Sequence, residues 1–200
     1  MKNLTKNLLL FAVALNLIFA YTTYSQRGVI EEMHQTNTEL ANHIQVINTK
    51  QLNENRIARE IQDRSRVSEA WAKHIAPMYV RAAAAQNDPR ITPMVLVRIG
   101  DAESNYDPKA LSYMGARGIQ QIMPKYWARG QIPFVKSAKD LYDPEINIHA
   151  SAYILAHYTR LGGDLKAGVR GYHGGEPAFL RPKPVTVQYQ RDVLKGYHQA

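Results

Sequence analysis

The chain has 200 residues, 45% of them hydrophobic, and carries 25 lysines and arginines against 17 aspartates and glutamates, a formal net charge of +8. That balance fits an anionic partner, whether nucleic acid, a membrane surface or an acidic polymer, without choosing among them. The absence of cysteine excludes disulfides, thiolate zinc sites and thiol nucleophiles. Lys2 and Lys6 precede an apolar run from Leu8 to Ala20 that only Asn16 interrupts. A charged start followed by such a run is an export pattern. The run is shorter than the roughly 20 residues of a membrane span, and Tyr21 to Tyr24 extend it only marginally. It therefore fits a cleaved signal, cut after Ser25, and an uncleaved anchor equally. Residues 1–28 are assigned to this signal or anchor.

From Val29 to Ile75 the chain is polar and free of proline and glycine, with apolar residues at Leu40, Ile44, Ile47, Leu52, Ile57, Ile61, Val67, Trp71 and Ile75. Steps of mostly three to five predict one or more amphipathic helices. Across the whole stretch no heptad is sustained, so it does not read as one long coiled coil. Residues 29–68 are expected to be a stalk or partner helix, with packing on the following domain as the alternative. Oligomerisation through residues 29–75 stays open.

The compact domain is expected at 69–200. Thr92 and Pro93 supply a cap and a first-turn proline. Met94, Leu96, Val97 and Ile99 then predict a largely buried helix ending near Glu103. Asp143 and Pro144 start another, stopped at Gly162 and Gly163. Asp164 caps a short helix broken at Gly174 and Gly175. "PVTVQYQRDVLKGYH" closes the chain as a helix in which Val187, Tyr189, Val193 and Leu194 are available for packing. Strand-like alternation is scarce, and the fold class is mainly α.

A carboxylate beside Met94, Val97 and Ile99 is partly desolvated, which favours its neutral form and suits it to donate a proton near neutral pH. Glycosidic cleavage needs such a donor. Most glycosidases also use a second carboxylate, and neither neighbour here is convincing. Asp107 precedes Pro108 as a turn residue, and Asp101 points to another side of the helix. A glutamate at a helix end is, taken alone, more often a solvated surface group.

The stretch "ESNYDPKALSYMGARGIQQIMP" changes that balance. Glu103, Ser104, Pro108, Ala110, Ser112, Gly115, Ala116, Gly118, Gln121, Met123 and Pro124 match, in order and without a gap, the signature of the soluble lytic transglycosylase family, and the chain resembles that family over about residues 90–197. Asp143, Pro144, Asn147, Ile148 and Tyr153 look like its second helical motif, "GYHGG" like its Tyr-Asn-x-Gly turn, and "TVQYQRDVLKGY" like its closing helix. Two positions depart. His173 stands where the family generally has asparagine, and Val185 where many members carry glutamate.

The resemblance implies a fold similar to goose-type lysozyme and cleavage of the β-1,4 bond between N-acetylmuramic acid and N-acetylglucosamine in peptidoglycan. Glu103 would be the single acid and then base, and the product would carry a 1,6-anhydromuramyl end. Tyr172 would hydrogen-bond and orient the Glu103 carboxyl, while Ser112, Gln121 and Met123 would contact substrate. Hydrolysis on the same fold and a non-catalytic wall-binding or assembly module are the alternatives. Expected partners are peptidoglycan strands, with possible membrane anchoring and possible secretion-apparatus or phage-particle proteins. The chain is expected to be exported, either anchored in the inner membrane or periplasmic, or phage-encoded and delivered to the envelope. The seven histidines show no His-Glu-x-x-His spacing, so no metal is expected, nor any cofactor. Arg and Lys are scattered rather than striped, and nucleic acid is not an expected partner.

Overall fold

The computed structural model describes residues 2–127 and 131–197. Its elements are the helices α1 (Lys2–Arg64), α2 (Glu69–Ala84), α3 (Pro93–Ser104), α4 (Pro124–Trp127), α5 (Pro144–Gly162), α6 (Leu165–Gly174), α7 (Pro177–Leu180) and α8 (Pro184–Leu194), with a short 3-10 turn at Asp140–Tyr142. Pairing among the described residues is limited to isolated bridges, Leu111 with Arg117 and Arg117 with Ile122. The chain is mainly α. Two units are distinguished, Met1–Lys50 and Gln51–Ala200. The first is helical, its apolar side chains from Phe11 to Ile47 largely in solvent. Among the described residues, no helix is long and apolar enough to cross a membrane.

Helix boundaries in the second unit follow local chemistry. Ser65 turns its hydroxyl back onto the Ile61 carbonyl at 2.7 Å, and Ser68 accepts from the Trp71 N–H at 3.2 Å to start α2. A side chain competing for helical backbone groups and a fresh N-cap together separate α1 from α2. Thr92 caps α3 through the Val95 N–H, Asp143 caps α5 through Glu145 and Ile146, and Asp164 caps α6 through Ala167 at 2.7 Å. Gly163, at φ 84°, ends α5 in the left-handed region that glycine enters at little cost.

Helix α5 is the centre of the second unit. One of its faces sends Ile148, Ala152, Leu155 and Ala156 into a core with Ile75, Tyr79, Leu96, Val97, Ile99 and Val169. Its other face packs Ala150, Ile154 and Tyr158 against Ile122, Ile132, Val135 and Leu141. A helix buried on both sides needs apolar side chains on both faces, and Asn147 and Ser151, polar residues that it also buries, are hydrogen-bonded. Ile57, Ala58 and Ile61, from the end of α1, complete the larger core. At about 1.5–3 kcal/mol for each large apolar side chain fully buried, these contacts hold α2, α3 and α5 as a frame for the segment between α3 and α5. Helix α6 approaches α5 closely, because Gly168 leaves no Cβ to strike Thr159.

Candidate active site

Glu103 lies in the last turn of α3, which ends at Asn105 in the left-handed conformation, its N–H donating to the Asp101 and Gly100 carbonyls. Next to it, Ser104 donates its hydroxyl to the Ile119 carbonyl at 2.7 Å, tying the end of α3 to the following loop. That loop is closed on itself. Arg117 and Ile122 exchange backbone hydrogen bonds of 3.0 Å each, and Gly118 N–H donates to the Ala110 carbonyl at 2.9 Å. Gly118 has a φ of +73°, and a Cβ there would collide with the Leu141 carbonyl and the Asn147 amide. Only glycine fits.

Beneath the loop is a buried polar network centred on Gln120. Its backbone N–H donates to Asn147 Oδ1 at 2.8 Å, its Nε2 donates to Tyr79 Oη at 3.0 Å and to the Leu96 carbonyl at 3.1 Å, and its Oε1 accepts from Ser151 at 3.2 Å. Asn147 in turn donates to the carbonyls of Arg117 and Leu141. Gln120, Asn147 and Ser151 are all fully buried. A satisfied network of this kind fixes a loop in one arrangement, since each group would be costly if left unpaired.

The Glu103 carboxyl is half-buried. Burial pushes its pKa up from the ordinary 4.5 to about 7, partly opposed by one hydrogen bond, and no second carboxylate contributes. That bond comes from Tyr189 on α8, whose hydroxyl donates to Glu103 Oε1 at 2.6 Å. Burial, and then the Glu103 charge, hold the Tyr189 phenol well above its usual range, so it remains a donor. The Tyr189 ring lies against the His173 imidazole, with centroids 4.4 Å apart. Burial lowers the His173 pKa, which keeps the ring neutral at neutral pH.

The sequence-predicted residues are only partly brought together. Tyr172, Gln121 and Met123 line one cleft of about 710 Å³, along with His157, His173, Trp127, Lys125 and Glu176. The hydrogen bond expected from Tyr172 to Glu103 is not the one formed. Tyr172 donates to the Gln120 carbonyl at 2.7 Å, and Tyr189 takes the contact with Glu103. The reason is geometric, because the carbonyl of the closed loop stands in reach of the Tyr172 hydroxyl. Ser112 and Glu103 are not among the cleft's lining residues. Ser112 uses its hydroxyl to accept from the Ala116 N–H at 2.9 Å. Gln121, at φ +47°, donates its amide to the Gly118 and Ala110 carbonyls. Val185 is exposed at the start of α8. Of the other carboxylates near Glu103 in sequence, Asp101 pairs with Arg64 at 3.3 Å and Asp107 accepts from the Lys109 N–H at 2.8 Å. Among the described residues, no three His, Asp or Glu side chains gather as a metal site.

Sequence reasoning missed Tyr189 as the partner of Glu103 and Gln120 as the hub beneath the loop. Tyr189 falls in a helix beside the apolar Val193, and a phenol on the inward face of a helix generally seeks a polar partner. No local signal named that partner.

The family model described as the transglycosylase SLT domain matches residues 79–190, which contain Glu103, Tyr172 and Tyr189. A protein named transglycosylase from Enterobacteria phage PRD1 is 32% identical over 96 residues, covering 48% of this chain. The match spans 33% of that relative's own length. With more than half the chain matched by one family model, the chain belongs to the transglycosylase SLT domain family.

Proposed function

We propose that the chain is a peptidoglycan lytic transglycosylase with Glu103 as its single acid and base. The observation that carries this reading is the Glu103 carboxyl, half-buried, poised at about 7 and free of influence from any second carboxylate. An acid with a pKa near the working pH is protonated often enough to donate and is a competent base afterwards. In the proposed reaction Glu103 protonates the glycosidic oxygen as the bond to the muramyl C1 breaks. The muramyl acetamide stabilises the cationic carbon. Glu103, now a carboxylate, takes the proton of the muramyl 6-hydroxyl while that oxygen closes on C1. Atoms balance without water, and one carboxyl performs both transfers.

Tyr189 would hold the carboxyl in place and stabilise the carboxylate that takes up the second proton, since a hydrogen bond donated to the charged form favours that form. Tyr172 would act at one remove by fixing the Gln120 carbonyl and hence the loop. Gln121 and Met123 would offer an amide edge and an apolar wall to the sugar chain in the cleft. Hydrolysis on the same fold is the second reading, in which a water takes the place of the muramyl 6-hydroxyl and gives its proton to the Glu103 carboxylate. The pairing of Glu103 with Tyr189 weighs against a non-catalytic module. Delivery to the envelope, by a cleaved signal or by anchoring, is part of the proposal and rests on Lys2, Lys6 and the apolar run that follows. The stalk expected over residues 29–68 would be confined to residues 29–50, since Ile57, Ala58 and Ile61 enter the core of the second unit.

The test is digestion of purified peptidoglycan by the full chain and by Glu103→Gln. The wild type is expected to release soluble fragments and the variant none above background, because the amide is nearly isosteric and supplies no acidic proton. An active, folded Glu103→Gln protein would sink the assignment.

A further inference from the structure

Between Val29 and Leu52 the helix α1 runs without interruption and its apolar side chains stand in solvent: Ile30 is 64% exposed, Met33 59%, Leu40 55%, Ile44 50% and Ile47 64%. With Asn37 these residues form one series, Ile30, Met33, Asn37, Leu40, Ile44, Ile47, in alternating steps of three and four. That is the a/d seam of a coiled coil, confined to a part of the longer helical stretch. Continued onward the same register meets Gln51 and Glu54, and then Ala58 and Ile61, which are already buried in the core of the second unit. The free seam is therefore residues 30–47. Helices in water draw most of their stability from packing an apolar face, and among the described residues of its own unit this face packs on nothing.

We propose that residues 30–47 pair with a second copy of this chain as a parallel, in-register, two-stranded coiled coil. Asn37 identifies the partner. At an a position it meets Asn37 of the other helix only if the two strands are identical, parallel and level, and the two amides then satisfy each other. In any other alignment the amide faces an apolar side chain and is buried unpaired, which costs stability. Ile30 and Ile44 at the remaining a positions, with Leu40 at the central d position, match the preference for two strands, and the Asn37 pair holds that state against Ile47 at the last d position. The flanking e and g positions between residues 29 and 48 hold Val29, His34, Thr36, Ala41, His43 and Asn48. None is a carboxylate, lysine or arginine, so self-pairing meets no like-charge penalty and no charge code selects a different helix.

The test uses the full chain in mild detergent. It has no cysteine, so single replacements report unambiguously. Met33→Cys, on the seam, is expected to form an interchain disulfide under gentle oxidation, and Gln35→Cys, on the outer face, is not. Parallel, level pairing brings residue 33 to its own copy, whereas antiparallel pairing does not. Sedimentation should give a dimer for the unmodified chain and a monomer for Leu40→Asp/Ile44→Asp, both at exposed positions where folding of the second unit is not at stake. Asn37→Ile should retain association but add species larger than the dimer. A monomer at tens of micromolar would overturn the proposal. So would equal cross-linking at 33 and 35, or a dimer that survives the aspartate pair, which would place the contact in the apolar N-terminal run.

Discussion

Replacing Glu103 by glutamine should make the folded protein more stable, and only at higher pH. In the wild type the folded-state pKa is raised from 4.5 to about 7. The folded protein therefore binds a proton more tightly than the unfolded chain between those values, and stability falls as pH rises through that window. Below about 4.5 the carboxyl is neutral in both states and contributes no penalty. The span from 4.5 to about 7, at about 1.36 kcal/mol per pH unit, sets a ceiling of about 3 kcal/mol. Glu103 retains some solvent access, which brings the expected cost to on the order of 1–2 kcal/mol. Glutamine does not titrate, keeps the shape and still accepts the Tyr189 hydroxyl through its amide oxygen. Thermal unfolding followed by circular dichroism should show matched wild-type and Glu103→Gln melting near pH 4. Near pH 8 the variant should gain on the order of 2–8 °C at roughly 2–4 °C per kcal/mol. A gain that is equal at both pH values, or a loss at pH 8, would refute the claim that burial raises this carboxyl.

Tyr189→Phe removes the one hydrogen bond that favours the Glu103 carboxylate. The alkaline limb of the pH–rate profile should move upward, and kcat should fall by about tenfold, in line with the roughly 1–1.5 kcal/mol of a lost hydrogen bond; an unchanged profile would remove Tyr189 from the account. Gln120→Ala strands the Tyr79 hydroxyl, the Leu96 carbonyl and the Ser151 hydroxyl in the core. Chemical denaturation should register a loss of roughly 2–4 kcal/mol, and a cost under about 0.5 kcal/mol would mean that the network is not what holds the loop.

Much of the helical framework was legible because its signals are local. Thr92 with Pro93, Asp143 with Pro144, and Asp164 each place a side-chain oxygen or a fixed φ where a helix must begin, and the structure uses all three as caps. Glu103 stood out from its apolar neighbours and from the motif that follows it. Its hydrogen-bond partner did not, since choosing between Tyr172 and Tyr189 requires knowing how α6 and α8 lie against α3. Residues 120 and 121 pose a related problem. Adjacent glutamines look alike in sequence, but the positive φ of Gln121 turns the chain so that Gln120 is sealed in the core and Gln121 reaches the cleft. The period of three to five along α1 was equally silent about its partners. It could not show that Ile57 and Ile61 enter the core while Ile44 and Ile47 stay exposed.

The central claim is that one carboxyl cleaves the glycan without water, and the most direct test is digestion of purified peptidoglycan by the full chain in ¹⁸O-water, with fragment masses read by mass spectrometry. The account predicts unlabelled 1,6-anhydromuramyl ends from the wild type and none from Glu103→Gln. Reducing ends carrying ¹⁸O would contradict it and assign the chain to hydrolysis.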